Sequence, residues 1–393
     1  MAAKKIKLPF PIEKSVLALG SHRKNAICFA KGNFAYLGRV HQDLNNPRDL
    51  FDFEKEARHF LQKRPRIIAY DLHPEYESTK YAQHLSPITY YLSPIQHHHA
   101  HIAACMADNG LENQKVIGVA FDGTGLGSDN RLWGAEFLIC DYKDFIRAAH
   151  LKEIPLLGAE RAILEPWRLA AWWLYSIYKD KFLNLKINFV KGVNKKHWRT
   201  LKNMYLSGFN SPASSSMGRL FDAAASLVLA KYKADFQAGL AIELEKIAAV
   251  YSCQLSSIPV VGGSAFGGSY QPASYPFRIT QHKGKYIVDP LPMFKQIVLD
   301  LEAKEPKGKI AYRFHLTVAQ MIVKICSILE KETKINKVVL SGGVFQNNLL
   351  LTLSIGLLYK KGFRVLSQNK LVCNDSSVSL GQAVVANFKI KHH

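Results

Sequence analysis

Four histidines fall within five residues in the run Gln96-His-His-His-Ala-His101. In a helix, residues four apart share a face, so His97 and His101 can converge on one ion while His98 and His99 point elsewhere. The neighbouring residues give little structural reason for such a concentration, which favours ligation over packing. Two imidazoles seldom complete a coordination sphere, and carboxylates are the expected partners. Asp122, at the end of an apolar strand on a turn that glycines hold open, is the third candidate. Asp375, on the loop Val372-Cys-Asn-Asp-Ser-Ser377, is the fourth. Two imidazoles, carboxylates and open positions suit Fe(II), Zn(II) or Mn(II).

Anions are the second chemistry the residues allow. Asp122-Gly123-Thr124-Gly125 and Ser341-Gly342-Gly343 are turns whose backbone N–H groups could reach a phosphate, the latter just before a helix start. Lys24 could add a positive charge. No GxxxxGK[ST] motif is present and no GxGxxG follows a strand, which excludes a P-loop ATPase and a Rossmann site.

The elements that must position these residues follow from periodicity. Ser15–Leu19, Ala26–Ala30 and Phe34–Gly38 read as strands, with turns at Gly20–Lys24 and Lys31-Gly-Asn33. Leu50–Lys63 reads as a helix, and Arg66–Tyr70 as a short buried strand ending at Asp71. The histidine helix should stop at Asn109-Gly110. A second strand-turn-strand opening follows: Val116–Phe121, the Asp122 turn, then Leu132–Ile139. Residues from about 150 to 330 read as largely helical, with loops at Ser211–Ser216 and Val261–Gly268. Lys337–Leu340 should be a strand, Val344 onward a helix, Phe363–Leu366 a strand, and Ser377–Ala386 a closing helix. The expectation is an α/β protein with a first lobe over 1–112 and a second over 113–393, the second carrying the helical insertion. The closing helix is expected to pack back on the first lobe.

Composition narrows the class. The 393 residues are 48% hydrophobic and 11% aromatic, enough for a sizeable core. No apolar run is long enough for a membrane helix, and Pro9, Pro11 and Glu13 interrupt the place of a signal peptide. Six cysteines stand apart with no CxxC pair, the pattern of buried reduced thiols in a cytoplasmic protein. The net charge of +21 is spread thinly, with small clusters at Lys4–Lys7, Lys191–Arg199 and Lys304–Lys309. Without a nucleic-acid-binding motif it reads as a solvated basic face or a surface for an acidic partner, and specific nucleic-acid binding is not expected.

Taken in order, the motifs match a family. Asp71-Leu-His-Pro-Glu-Tyr76, Gln96–His101, Phe121-Asp-Gly-Thr-Gly125, Glu165-Pro-Trp-Arg168, Ser216-Met-Gly-Arg-Leu-Phe-Asp222, Arg313-Phe-His315, Leu340-Ser-Gly-Gly-Val-Phe-Gln-Asn347 and Ser379-Leu-Gly-Gln-Ala383 lie in sequence. The chain thereby resembles, from about Ser15 to Ala386, the C-terminal carbamoyltransferase region of the HypF hydrogenase-maturation family. It is similar also to the threonylcarbamoyl transferase TsaD. The resemblance implies an ASKHA-type (RNase H-like) fold of two actin-like lobes with ATP between them. It implies a carbamoyl-adenylate intermediate beside an iron or zinc ion, and transfer to the C-terminal cysteine of a HypE-like partner on the way to the cyanide ligands of [NiFe] hydrogenase. By motif, His97, His101 and Asp375 become metal ligands with Asp122 at or beside the ion. Ser341, Gly342, Gly343 and Asn347 would hold the nucleotide, with Gly123, Thr124 and Gly125 in the opposing turn. Gly218 and Asp222 would lie near the ribose, and Lys24 would face the phosphate or carbamoyl group.

Departures from the pattern are expected to matter. The family's acylphosphatase, zinc-finger and YrdC-like domains are not in this sequence, so carbamoyl-adenylate is expected from a separate YrdC-like source unless the chain is a fragment. The Tyr-Glu-Gly-Gln-Ala-Ala pattern reads Phe236-Gln-Ala-Gly-Leu-Ala241 here, so Gln237 replaces a carboxylate and the Ala238 methyl could crowd the nucleotide. Asn374-Asp-Ser-Ser377 keeps the ligand on a stiffer loop than the family's glycines would give. Two other readings follow: carbamoyl or threonylcarbamoyl transfer to a small molecule or tRNA, and a non-catalytic metal-binding scaffold. His97-His-His-Ala-His101 lacks the His-x-Glu-Gly-His of TsaD, which counts against tRNA.

Overall fold

The computed structural model describes residues 4–85, 89–256 and 273–390. The expected loop Val261–Gly268 lies outside them. The chain divides into two compact units, one formed by Met1–Ala149, Cys326–Gln346 and Gly362–His393, the other by His150–Ile325 and Asn347–Lys361.

The first unit opens with β1 (Lys4–Ala18) and β2 (Arg23–Asp43), then α1 (Pro47–Leu61), β3 (Ile67–Asp71), α2 (Glu77–His84), β4 (Tyr91–Ile95) and α3 (His97–Asp108). The first sheet has the order β2-β1-β3-β4, antiparallel between β1 and β2 and parallel elsewhere. Two expectations change here. The turn at Lys31-Gly-Asn33 is no turn, because β2 runs straight through it and pairs with β1 on both sides. The slack lies in β1, where the register slips between Lys7 and Ile12 and again between Ile12 and Val16. Pro9 and Pro11 sit in the first slip, where a missing N–H breaks the ladder least. The basic N-terminal stretch, given no element from sequence, is thus half of a strand whose Ile6, Leu8 and Ile12 are buried.

The second sheet begins with β5 (Val116–Leu126), β6 (Leu132–Cys140) and β7 (Phe145–Leu151), and within this unit continues from β5 to the strands Lys337–Ser341 and Arg364–Leu366. A third expectation changes. Asp122–Gly125 is a bulge inside β5 rather than a turn, since Phe121 pairs with Ala135 and Gly125 with Trp133. Between the sheets lies α3, buried over all twelve residues. Its alanines at 100, 103, 104 and 107 favour the helix and let strands approach closely. The C-terminal helix Val378–Ile390 packs on α3, β1 and β2. Gly381 sits against the Ala100 carbonyl with no room for a Cβ. One apolar core thus takes in Val16, Ala103, Val116, Val339 and Val384, joining both sheets through these two helices. That is why the compact unit reaches past the 112/113 lobe boundary, which falls between its two sheets.

The second unit is mainly helical: Trp167–Tyr178, Lys195–Leu206, Met217–Leu229, Gly239–Ser256 and Leu291–Glu302, with a hairpin of Arg278–His282 and Lys285–Asp289. Ser216 caps the Met217 helix by accepting from the Arg219 amide. Among the described residues, no helix is long and apolar enough to cross a membrane.

Candidate metal centre

Local chemistry builds the histidine helix. The Gln96 side chain caps it, its Oε1 accepting from the His99 amide at 2.8 Å. At the far end Gly110 turns left-handed (φ 67°). The Leu111 amide there returns to Met106 and the Gly110 amide to Ala107, the bonding of a Schellman motif. On that frame His97 and His101 face one point, their ring centroids 4.8 Å apart.

Two carboxylates meet them. His97 Nε2 lies 3.3 Å from Asp122 Oδ2 and 3.9 Å from Asp375 Oδ1; His101 Nε2 lies 3.7 and 3.5 Å from the same atoms. One ligand atom from each of the four residues falls within 4.8 Å of every other. Both imidazoles are fully buried, and neither nitrogen of His101 has a hydrogen-bond partner among the described residues. A buried imidazole without partners, aimed at two carboxylate oxygens, fits a divalent cation. The donor set, two nitrogens and two oxygens, suits iron or zinc.

Each ligand is held from behind. Asp71 Oδ2 accepts from His97 Nδ1 at 2.7 Å, leaving Nε2 as the free lone pair. Asp122 Oδ1 accepts from the Gly343 amide at 3.1 Å, so Oδ2 is the atom turned to the histidines. Asp375 opens a short 3-10 turn whose cap, Asn374, accepts from the Ser376 amide. The loop before it is tied to the end of α3, where Asp108 Oδ2 accepts from the amides of Asn369, Lys370 and Leu371. Asp71 and Asp108 were not singled out from sequence. Asp71 could have been, because it ends a buried strand where a carboxylate needs a reason.

Charge follows this geometry. Burial pushes His97 down, yet the Asp71 and Asp122 carboxylates outweigh it and hold the imidazole well above its ordinary range. For Asp122 burial acts upward, and His101 and His97 overcome it, holding the carboxyl well below the usual range. The other two histidines are neutral: burial takes His98 to about 3 and His99 to about 4. His99 Nε2 donates to the Asp141 carbonyl, and His98 Nδ1 accepts from Gln96 Nε2. Gly125 makes their packing possible, since a Cβ there would sit 2.7 Å from His98 and 2.9 Å from His97.

The anion candidates are distributed differently. Ser341-Gly342-Gly343 lies directly on the Asp122 bulge: Gly342 (φ 103°) presses on the Phe121 backbone and Gly343 donates to Asp122. The Ser341 hydroxyl is already used, donating to the His101 carbonyl and accepting from Gln368. The helix expected from Val344 begins at Asn348, after a 3-10 turn over Gly343–Gln346. Asn347 is its cap, with Oδ1 on the Leu350 amide and Nδ2 on His315. Gly123 and Thr124 are half-buried on the bulge, and Lys24 is exposed with left-handed backbone (φ 46°). In the second unit Gly218 lies in the first turn of the Met217 helix, and Asp222 is buried 2.7 Å from Arg219 Nη2. Ala238, whose methyl was expected to crowd the nucleotide, adopts left-handed backbone (φ 65°). Of the cysteines, Cys28, Cys105, Cys140 and Cys326 are buried and Cys373 partly so, whereas Cys253 is exposed, contrary to expectation.

The chain is an α/β protein with a candidate metal cluster at the start of a buried helix, and comparison with known proteins supplies the family. Residues 118–382 match the model described as "Carbamoyltransferase, Kae1-like Domain, second subdomain", and residues 11–108 match the HypF Kae1-like domain. Carbamoyltransferase HypF of Synechocystis is 34% identical over 97% of this chain and 48% of its own length. A carbamoyltransferase HypF homolog of Cupriavidus necator is 32% identical over 94% of this chain and 91% of its own length. A full-length HypF crystallised "in the phosphate- and nucleotide-bound form" superposes with a TM-score of 0.85, 37% identity, and coverage of 98% of this chain and 48% of that one. The chain belongs to the HypF carbamoyltransferase family and has its actin-like α/β fold. It spans about half the length of the first curated relatives it matches.

Proposed function

We propose that this chain is a cytoplasmic carbamoyltransferase that moves a carbamoyl group from carbamoyl-adenylate to the thiol of a HypE-like partner in [NiFe] hydrogenase maturation. The observation that carries the reading is the cluster of buried His97, His101 and Asp122 with the partly buried Asp375 in a chain of this family. A divalent ion held there, iron or zinc, would polarise the carbamoyl carbonyl and stabilise negative charge on its oxygen. The chain's own residues prepare the place. Asp71 keeps the His97 lone pair on Nε2, Gly343 turns Asp122 Oδ2 toward the histidines, and burial excludes water that would compete for the acyl carbon. The acceptor thiol gives up its proton to solvent, its sulfur forms the new bond to the carbamoyl carbon, the bond from that carbon to the phosphate oxygen breaks, and the electron pair leaves with AMP. No cysteine of the chain is needed as nucleophile.

The proposal extends to the nucleotide, which a crystallised relative is described as binding. Gly123, Thr124, Gly125, Ser341, Gly342 and Gly343 offer backbone groups to a phosphate. Lys24 would offer a charge, and Gly218, Asp222 and Asn347 are assigned to the ribose and adenosine side. Carbamoyl-adenylate from a separate YrdC-like enzyme, mixed with the metal-loaded chain and a HypE-type acceptor, should yield AMP and a carbamoylated C-terminal cysteine by mass spectrometry. Unmodified acceptor after full mixing contradicts the reading. The methyl of Ala238, at a position where the family has glycine, favours a second reading, a non-catalytic metal-binding scaffold. Stoichiometric metal without measurable AMP binding would support that alternative.

A further inference from the structure

Beside Asn347 the helix Lys307–Thr333 places His315, a residue the proposed reaction does not yet use. The imidazole is fully buried, edge-on to Phe221 at 5.2 Å and 76° between planes. Its Nδ1 lies 2.7 Å from the Ala311 carbonyl, one turn back in the same helix. A carbonyl only accepts, so Nδ1 carries a proton. Burial takes the ring down to about 4, which leaves it neutral and makes Nε2 a lone pair. That lone pair accepts from Asn347 Nδ2 at 3.0 Å.

The other end of the Asn347 side chain agrees. Its Oδ1 accepts from the Leu350 amide at 2.8 Å, capping the helix that begins at Asn348. A backbone donor and an imidazole acceptor thus fix the same orientation of the amide. Flipping it would set oxygen against the Nε2 lone pair and NH2 against the Leu350 N–H, two unmade hydrogen bonds beside a buried ring. An NH2 group has two hydrogens, and the second meets no acceptor among the described residues. Asn347 is half-buried, so that hydrogen is open to a ligand.

We propose that His315 is a positioning residue: its Nε2 fixes the Asn347 amide so that the remaining Nδ2 N–H is offered to an acceptor atom of a nucleoside, a base nitrogen or a sugar oxygen. This rests on the nucleotide assignment of Asn347 above. Two amide variants separate the two ring nitrogens. His315→Asn sets an NH2 near the Nδ1 position, keeping Ala311 and giving up Asn347; His315→Gln sets a carbonyl oxygen near the Nε2 position, keeping Asn347 and giving up Ala311. AMP, titrated by calorimetry into the metal-loaded full chain, should bind His315→Asn roughly 2- to 10-fold more weakly than wild type, and His315→Gln within about twofold of it. A histidine kept only for the Ala311 contact would give the reverse order. Asn347→Ser keeps a capping hydroxyl and lacks the amide, so it should lose a similar factor, and adding His315→Asn to it should cost nothing further. Equal AMP affinity in wild type and His315→Asn, the reverse order of the two variants, or an undiminished loss in the Asn347→Ser background overturns the proposal. Wild type that binds no AMP sinks the nucleotide reading and this role together, whereas AMP binding with equal affinities sinks His315 alone.

Discussion

Asp71→Asn perturbs the hold on the first ligand while hardly changing volume. In the native protein two donors converge on this carboxylate: His97 Nδ1 at 2.7 Å on Oδ2 and the His73 amide at 3.1 Å on Oδ1. Both the carboxylate and His97 are fully buried. Asparagine offers one acceptor and one donor group. With its oxygen toward His97, its NH2 opposes the His73 N–H, leaving buried donors unsatisfied at roughly 1–3 kcal/mol. With its oxygen toward His73, its NH2 meets Nδ1, and the imidazole proton moves to Nε2, the nitrogen that should face the metal. Either arrangement should lower metal affinity roughly 10- to 100-fold, which is about 1.4–2.7 kcal/mol. Competition against a chromogenic chelator at fixed pH measures it directly. An affinity within about twofold of wild type would refute the argument that Asp71 orients the ligand.

Other predictions follow from the same geometry. Because His97 is held above its ordinary value, its contribution to metal-free stability is complete below about 6.5 and lost as pH rises through the raised value. Asp122 is held below its ordinary value, so its share is present above about 4 and lost as pH falls. Thermal melts of metal-free protein should therefore show the wild type gaining most over Asp122→Asn between these limits, and a gap that widens above pH 7 would contradict the pairing. Gly381→Ala places a methyl on the Ala100 carbonyl and should destabilise the chain by about 1–3 kcal/mol in denaturant titration. Ala238→Gly should do the opposite by up to roughly 1 kcal/mol, since it relieves a left-handed alanine (φ 65°). An aromatic disulfide reagent should label Cys253 quickly in the native protein and Cys373 slowly, because burial pushes the latter thiol up to about 12.

The legible parts of the sequence were those with local signals. The histidine helix, its Gln96 entry and its Asn109-Gly110 stop are encoded in consecutive residues, and the i, i+4 spacing brought His97 and His101 together as read. Asp122 and Asp375 were found by type and motif, and the cluster gathers both. What escaped was non-local. A glycine at 32 reads as a hairpin turn until β1 is seen to pair past it, and Pro9 and Pro11 disguise a strand whose slips absorb them. Asp122–Gly125 reads as a turn because a bulge has the same composition; only the partner strand distinguishes them. Asp108, clasping three amides more than 260 residues away, carries no mark of it in sequence. The nucleotide assignments rest on motif, and the structure adds that Ser341 and Asn347 spend their side chains on His101, Gln368, Leu350 and His315.

X-ray absorption at the iron and zinc edges of the purified protein tests the proposed centre most directly. The account predicts one bound ion with two imidazole nitrogens and carboxylate oxygens at about 2.0–2.2 Å, and loss of one imidazole nitrogen in each of His97→Ala and His101→Ala. Sulfur ligation, or a first shell unchanged in both variants, would contradict it.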